Sequence, residues 1–237
     1  MFEAYVTNLG LYPERGVEVG EYLKFPTTPE AVRELFDRIG IDGHRYSEYF
    51  ITNYESDVLG LSDWLSEYES LDELNYLAHL LEEMTPDELE KYEAVLAFGD
   101  HTSQVKDLIN LTQNLDHYSF YPGIDNEEAL GRYYVEEGGA LQIPDYIEPY
   151  FDYEAYGRDI DLSSTGCFVP GGYINADGDR FIEHYSGVED IPQEYRISNV
   201  KARDEKEETR SILAAIKEFQ PAPPAPAKEK AGPSNER

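Results

Sequence analysis

The feature that most constrains this chain is where its charge lies. Its 237 residues carry 49 acids and 19 bases, a formal charge of −30. Residues 201–237 hold 8 of the bases and 7 of the acids, so residues 1–200 hold 42 acids against 11 bases, a net of −31. A compact state with that imbalance repels itself, repels nucleic acid and anionic lipid, and attracts basic surfaces. Its carboxylates belong in water, so cohesion must come from elsewhere. The chain supplies it as aromatics, with 20 Tyr, 10 Phe and 1 Trp, whereas disordered acidic chains are poor in such residues. Residues 1–200 are therefore expected to fold. Duplex DNA carries one charge per about 1.7 Å of axis, so the net charge of the folded part matches roughly 50 Å of duplex. Taken alone, the charge is as well explained by plain solubility, with acids spread evenly for hydration.

Several classes fall away on composition. The single cysteine, Cys167, allows no intrachain disulfide and too little sulfur for a thiolate zinc site. The opening Met-Phe-Glu-Ala has neither the basic nor the apolar region of a secretory leader. No apolar run approaches the ~18 residues of a spanning helix. A cytoplasmic chain without direct nucleic-acid or membrane binding is the expectation.

Read along its length, the chain divides into segments of different period. Residues 2–9 and 17–25 read as strands, and 46–54 as a third. Between them Thr28 and Pro29 form a helix start, Ala31, Val32, Leu35, Phe36 and Ile39 recur at helical spacing, and Gly40 fits the stop. Residues 1–60 are thus expected to be a small α+β unit. From Leu61 the pattern turns helical. Ser70 and Glu73 have capping-box spacing ahead of Leu71, Leu74, Leu77, Leu81 and Met84. Thr85, Pro86 and Glu88 repeat the signal, and a third start lies near Thr102 or Ser103. Residues 61–115 are expected to be an acidic helical bundle with short connectors. Residues 116–190 read as a second α+β unit: a short strand at 116–122, a helix at 125–137, a helical stretch from Pro144 to about Tyr156, a strand from Ile160 to Val169, and a hairpin over 172–185 turning at Asp177–Gly178. Residues 191–237 are an extension. A helix over 201–219 with Ile212, Leu213, Ile216 and Phe219 on one side is expected, followed by a disordered Pro/Ala-rich tail from Gln220.

Catalytic and metal readings find little support. Residues 152–161, DYEAYGRDID, offer Glu154 and Asp159 as an acid–base pair of a carbohydrate-active hydrolase, but among 42 acids a close carboxylate pair arises almost anywhere. Asn175, Asp177 and Asp179 have the spacing of a calcium loop, yet Arg180 stands where glycine is needed and Ser186 where a bidentate glutamate belongs. The five histidines form no HxH or HExxH pair. Neither a metal, a cofactor nor enzymatic activity is expected.

Residues 150–159, Tyr150-Phe151-Asp152-Tyr153-Glu154-Ala155-Tyr156-Gly157-Arg158-Asp159, closely resemble the antirestriction motif of the ArdA family, with Phe151 in place of the usual aliphatic residue. FEAYVTNLGLY at the start, SLDELNYLAHLLEEM at 70–84 and RYYVEEGGAL at 132–141 are similar to other parts of that family, so the resemblance covers about residues 1–185. It implies three small domains strung out as an elongated α+β chain. It further implies a homodimer joined near the motif, with carboxylates spaced like DNA phosphates that occupy the DNA groove of type I restriction–modification enzymes. On that reading the mimic surface comprises Asp63, Glu67, Asp72, Glu73, Glu82, Glu83, Asp87, Glu90, Asp125, Glu127, Glu128, Glu136 and Glu137. Asp152, Tyr153, Glu154, Tyr156, Gly157, Arg158 and Asp159 form the motif, with Tyr153, Tyr156 and Arg158 ordering the dimer or the local fold. The charge also suits an acidic adaptor for another basic DNA-binding protein, a nucleoid protein or transcription factor. Residues 186–237 run past the usual family end.

Overall fold

In a computed structural model of the protein, residues 1–178 and 180–198 are described. The helix expected over 201–219 and the Pro/Ala-rich tail lie outside the described residues, as does Asp179.

The first strand, β1 (Phe2–Asn8), places Phe2, Ala4 and Val6 at every second position, and all three are buried. It is the centre of a three-stranded antiparallel sheet of order β2-β1-β3, with β2 at Gly20–Phe25 and β3 at Tyr49–Ser56. A short helix, α1 (Tyr12–Arg15), and a 3-10 turn at Gly16–Val19 occupy the β1–β2 connection, so the second strand begins three residues later than its pattern predicts. Helix α2 (Pro29–Ile39) forms as its ends predict. Thr28 Oγ1 accepts the Ala31 N–H at 3.3 Å, and Gly40 takes the left-handed conformation at φ 78°. Val32, Leu35, Phe36 and Ile39 are its buried stripe. Asn8, fully buried at the end of β1, donates to the carbonyls of Ile39 and Gly40 and so satisfies the helix end from the sheet.

Three helices follow: α3 (Leu71–Glu82), α4 (Pro86–Phe98) and α5 (Val105–Leu111). Leu71, Leu74, Leu77 and Leu81 of α3, Tyr92, Val95 and Leu96 of α4, and Leu108, Ile109 and Leu111 of α5 are essentially inaccessible. Each such side chain contributes about 1.5–3 kcal/mol through burial. The buried Tyr92 hydroxyl donates to the Leu108 carbonyl at 3.2 Å, which pins α4 to α5. These residues and those of the N-terminal sheet belong to one continuous core cluster that runs from Phe2 to Ile197.

The second sheet is antiparallel with order β4-β6-β5: β4 (Tyr118–Pro122), β5 (Cys167–Val169) and β6 (Gly172–Ala176). Beside it lie α6 (Glu127–Arg132), continued by one π-helical turn over Tyr133–Glu137, and α7 (Tyr153–Ser163). Two sequence expectations are corrected here. Residues 160–163 are the last turn of α7, and the strand is only Cys167–Val169; Leu162 points into solvent rather than into a sheet. Residues 172–185 are not a hairpin. β6 pairs with β4 and β5, and the chain after Gly178 leaves the sheet.

That chain runs back over the helices. Asn114 accepts the Ile182 N–H and donates to its carbonyl, both at 2.9 Å. Asn110 accepts the N–H groups of His184 and Tyr185 and donates to the Tyr185 carbonyl at 2.8 Å. Further on, Asn75 donates to the Tyr195 carbonyl, and Asp72 accepts the N–H groups of Ile197 and Ser198 at 2.6 and 2.7 Å. Tyr185, Ile191 and Ile197 are buried in the core.

Candidate functional site

The predicted acidic surface divides once its residues are placed. Asp63 lies in the 3-10 turn Leu61–Trp64, Glu67 before α3, Glu82 and Glu83 at the end of α3, and Asp87 and Glu90 on α4; all six are exposed. Among the described residues none of the six makes an ion pair. Glu82 and Glu83 stand where the helix dipole favours a cation, so they add charge at a small cost in stability.

Asp72 and Glu73 depart from the expected surface. Asp72 is 5 % exposed and its carboxylate is filled by the backbone of residues 197–198 and the Ser198 hydroxyl. Glu73 is half-buried and accepts the Tyr185 hydroxyl at 2.8 Å, and burial pushes its carboxyl above the usual range. The Ser70–Glu73 capping box does not form: Ser70 makes no side-chain cap, and the Glu73 carboxylate is turned to Tyr185; the Leu71 N–H of the same helix start is met by the Tyr49 hydroxyl at 3.3 Å.

Around the motif the acids are partly neutralised. Asp125 and Glu137 are exposed and Glu127 is half-exposed. Arg132 pairs with Glu128 at 3.0 Å and with Glu136 at 3.3 Å, one turn away on either side. Its guanidinium also lies 4.3 Å from the centre of the Tyr153 ring.

The motif itself is a helix built for close packing. Asp152 caps α7, accepting the Ala155 N–H at 3.0 Å. Tyr153 is buried beneath Arg132, Glu154 pairs with Arg158 at 2.6 Å, Tyr156 meets the edge of Phe151, and Asp159 is exposed. Gly157 faces Gly131 of α6. A Cβ at Gly157 would sit 1.8 Å from the Glu127 carbonyl oxygen, and one at Gly131 would sit 2.0 Å from that of Tyr153. The two backbones touch, and only glycine allows it. Neither Gly131 nor Arg132 is marked by a motif, although a lone glycine within a helical pattern is itself a packing signal. Glu154 and Asp159, the hydrolase candidates, both face solvent, and Glu154 is held by Arg158.

Among the described residues no three metal-ligating side chains gather, and no helix is long and apolar enough to cross a membrane. The fold defines a strongly acidic α+β protein with two small antiparallel sheets. Its relatives can be stated more closely: a model of the antirestriction protein ArdA matches residues 4–175, and the chain belongs to that family. No curated protein matches it. Antirestriction, acting on restriction–modification enzymes, is therefore its function.

Proposed function

We propose that this protein blocks restriction by mimicking B-form DNA and occupying the DNA-binding groove of type I restriction–modification enzymes. The observation that carries the reading is the set of exposed carboxylates, unpaired among the described residues, on and just before α3 and α4: Asp63, Glu67, Glu82, Glu83, Asp87 and Glu90. A DNA groove holds its ligand chiefly through cations aimed at phosphates, contacts that carry little sequence information. An ordered array of carboxylates meets the same cations, and inhibition then extends across enzymes with different recognition sequences. Order matters because a flexible acidic chain loses entropy on docking; here the array stands on α3, α4 and the turns before α3, over a packed interior. Asp125, Glu127, Glu128, Glu136 and Glu137 extend the surface near the motif, with Glu128 and Glu136 weakened by Arg132.

The protein acts as a homodimer. Tyr146, Ile147, Tyr150 and Leu162, exposed before and along the motif helix, supply the apolar contacts for a second copy, which sedimentation of the protein and of its Tyr150→Glu variant tests.

The decisive experiment is titration of a purified type I methyltransferase–DNA complex with this protein at several salt concentrations. Stoichiometric displacement regardless of recognition sequence, with affinity falling steeply as salt rises, is the expected result. Duplex that stays bound at low salt overturns the proposal and turns the search to another basic partner.

A further inference from the structure

Residues 181–198 lie beyond the family match, which ends at residue 175, and α3, α5 and the turn after α5 hold four polar side chains in their service. Asp72, Asn75, Asn110 and Asn114 are all buried, three of them at 0–1 % exposure. Polar groups at such depth are costly unless paired, and the strap pairs each of them. Asn110 and Asn114 read both the N–H and the carbonyl of the strap, as a neighbouring strand would. Asp72 and Asn75 take its far end in the same way. Main-chain bonds hold a docked segment, and buried side chains fix its register; here those are Tyr185, Ile191 and Ile197, with 3-10 turns at Val188–Asp190 and Gln193–Tyr195 between the bonded ends.

We propose that α3 and α5 form a peptide-holding groove whose occupant is the chain's own residues 181–198, and that this strap undocks and redocks as one unit while the helices stay folded. The strap carries Glu183, Glu189, Asp190 and Glu194 against Arg196, and of these acids Glu183 pairs with Lys106 of α5. It thus brings negative charge to a body already in large negative excess, and its docking is opposed by repulsion that salt screens. What it covers it also replaces: Asp72 and Glu73 leave the exterior, and Glu183, Glu189, Asp190 and Glu194 stand exposed in their stead.

Amide hydrogen exchange on the full-length chain tests this without any restriction enzyme. The amides of Ile182, His184, Tyr185, Ile197 and Ser198 are expected to exchange through one common opening, at least about tenfold faster than Leu77 and Ala78 within α3. Added salt should slow them. Asn110→Ala should accelerate exchange at Ile197 and Ser198 as well as at its direct partners. Ile197→Ala puts the same question from the other end, with faster exchange expected at Ile182 and Tyr185. Strap amides that exchange at the rate of α3, or variants whose effects stay at their own contacts, overturn the proposal.

Discussion

Helices α3 and α4 begin with the same written signal and use it differently. Each has a hydroxyl residue followed three positions later by glutamate. In α4 the box closes: Thr85 Oγ1 accepts the Glu88 N–H at 3.3 Å, and Glu88 accepts the Thr85 N–H at 2.8 Å. In α3 the Glu73 carboxylate is taken by the Tyr185 hydroxyl of the strap, Ser70 makes no side-chain cap, and the Leu71 N–H is met by the Tyr49 hydroxyl of β3. Glu88 sits in solvent with no competitor, whereas Glu73 lies within reach of a residue 112 positions along the chain. A local motif settles a helix end only where no long-range partner offers a better bond. The two glutamates also titrate in opposite directions, Glu88 held low by the Thr85 N–H and Glu73 pushed up by burial.

The contrast can be pressed hardest at Asp72. Asp72→Ala leaves the Ile197 and Ser198 N–H groups without their acceptor and should cost about 2 kcal/mol, read as a lower urea midpoint. An unchanged midpoint would mean that the strap finds other acceptors. On the α4 side, Thr85→Ala should cost about 1 kcal/mol, while Ser70→Ala, which removes no cap, should leave thermal unfolding nearly unmoved. Equal losses at the two positions would erase the distinction.

Titration separates the helices further. A carboxyl raised in the fold weakens the protein as pH climbs from the ordinary 4.5 through its shifted value. Glu73→Gln should therefore raise Tm at neutral pH, with the gain vanishing below that window. For Glu88 the sign reverses. Its contribution is present above 4.5 and disappears as pH falls through its lowered value, so Glu88→Gln should be costly at neutral pH and harmless in acid. The smallest effects belong to the end of α3, where Glu82→Gln and Glu83→Gln should each stabilise by a few tenths of a kcal/mol, about the size of an exposed dipole term. Neither alone should abolish inhibition, and the two combined with Asp87→Asn and Glu90→Gln should weaken it markedly; inhibition lost to a single one of them would rule out a distributed surface.

Legibility in the sequence followed the range of the interactions. Helix α2 was readable because Thr28, Pro29 and Gly40 fix its ends through contacts a few residues apart. α4 was readable for the same reason. The expected hairpin failed because the partners of β6 are set by sheet pairing with β4, more than fifty residues earlier, and because Asn110 and Asn114 compete for the chain after the turn. Ile160 and Leu162 read as strand because apolar alternation does not reveal which side chains stay in water. At the site, the exposed acids of α4 followed from its helical period. Burial of Asp72 did not, since its partners lie 125 and 126 residues away.

The contact of Gly131 with Gly157 bears on how such a protein answers to genetics. On the proposed reading a surface of many carboxylates shares its work, so a screen that changes one codon at a time should pass over nearly every residue of that surface. Two main chains in contact share nothing, and any side chain added there pushes α6 from α7. The strongest loss-of-function alleles should therefore gather at the crossing rather than on the acidic face, and a ranking of positions by phenotype would be a map of the scaffold. The acidic face of the proposed mimic, by contrast, should be free to drift in sequence so long as its charge is kept.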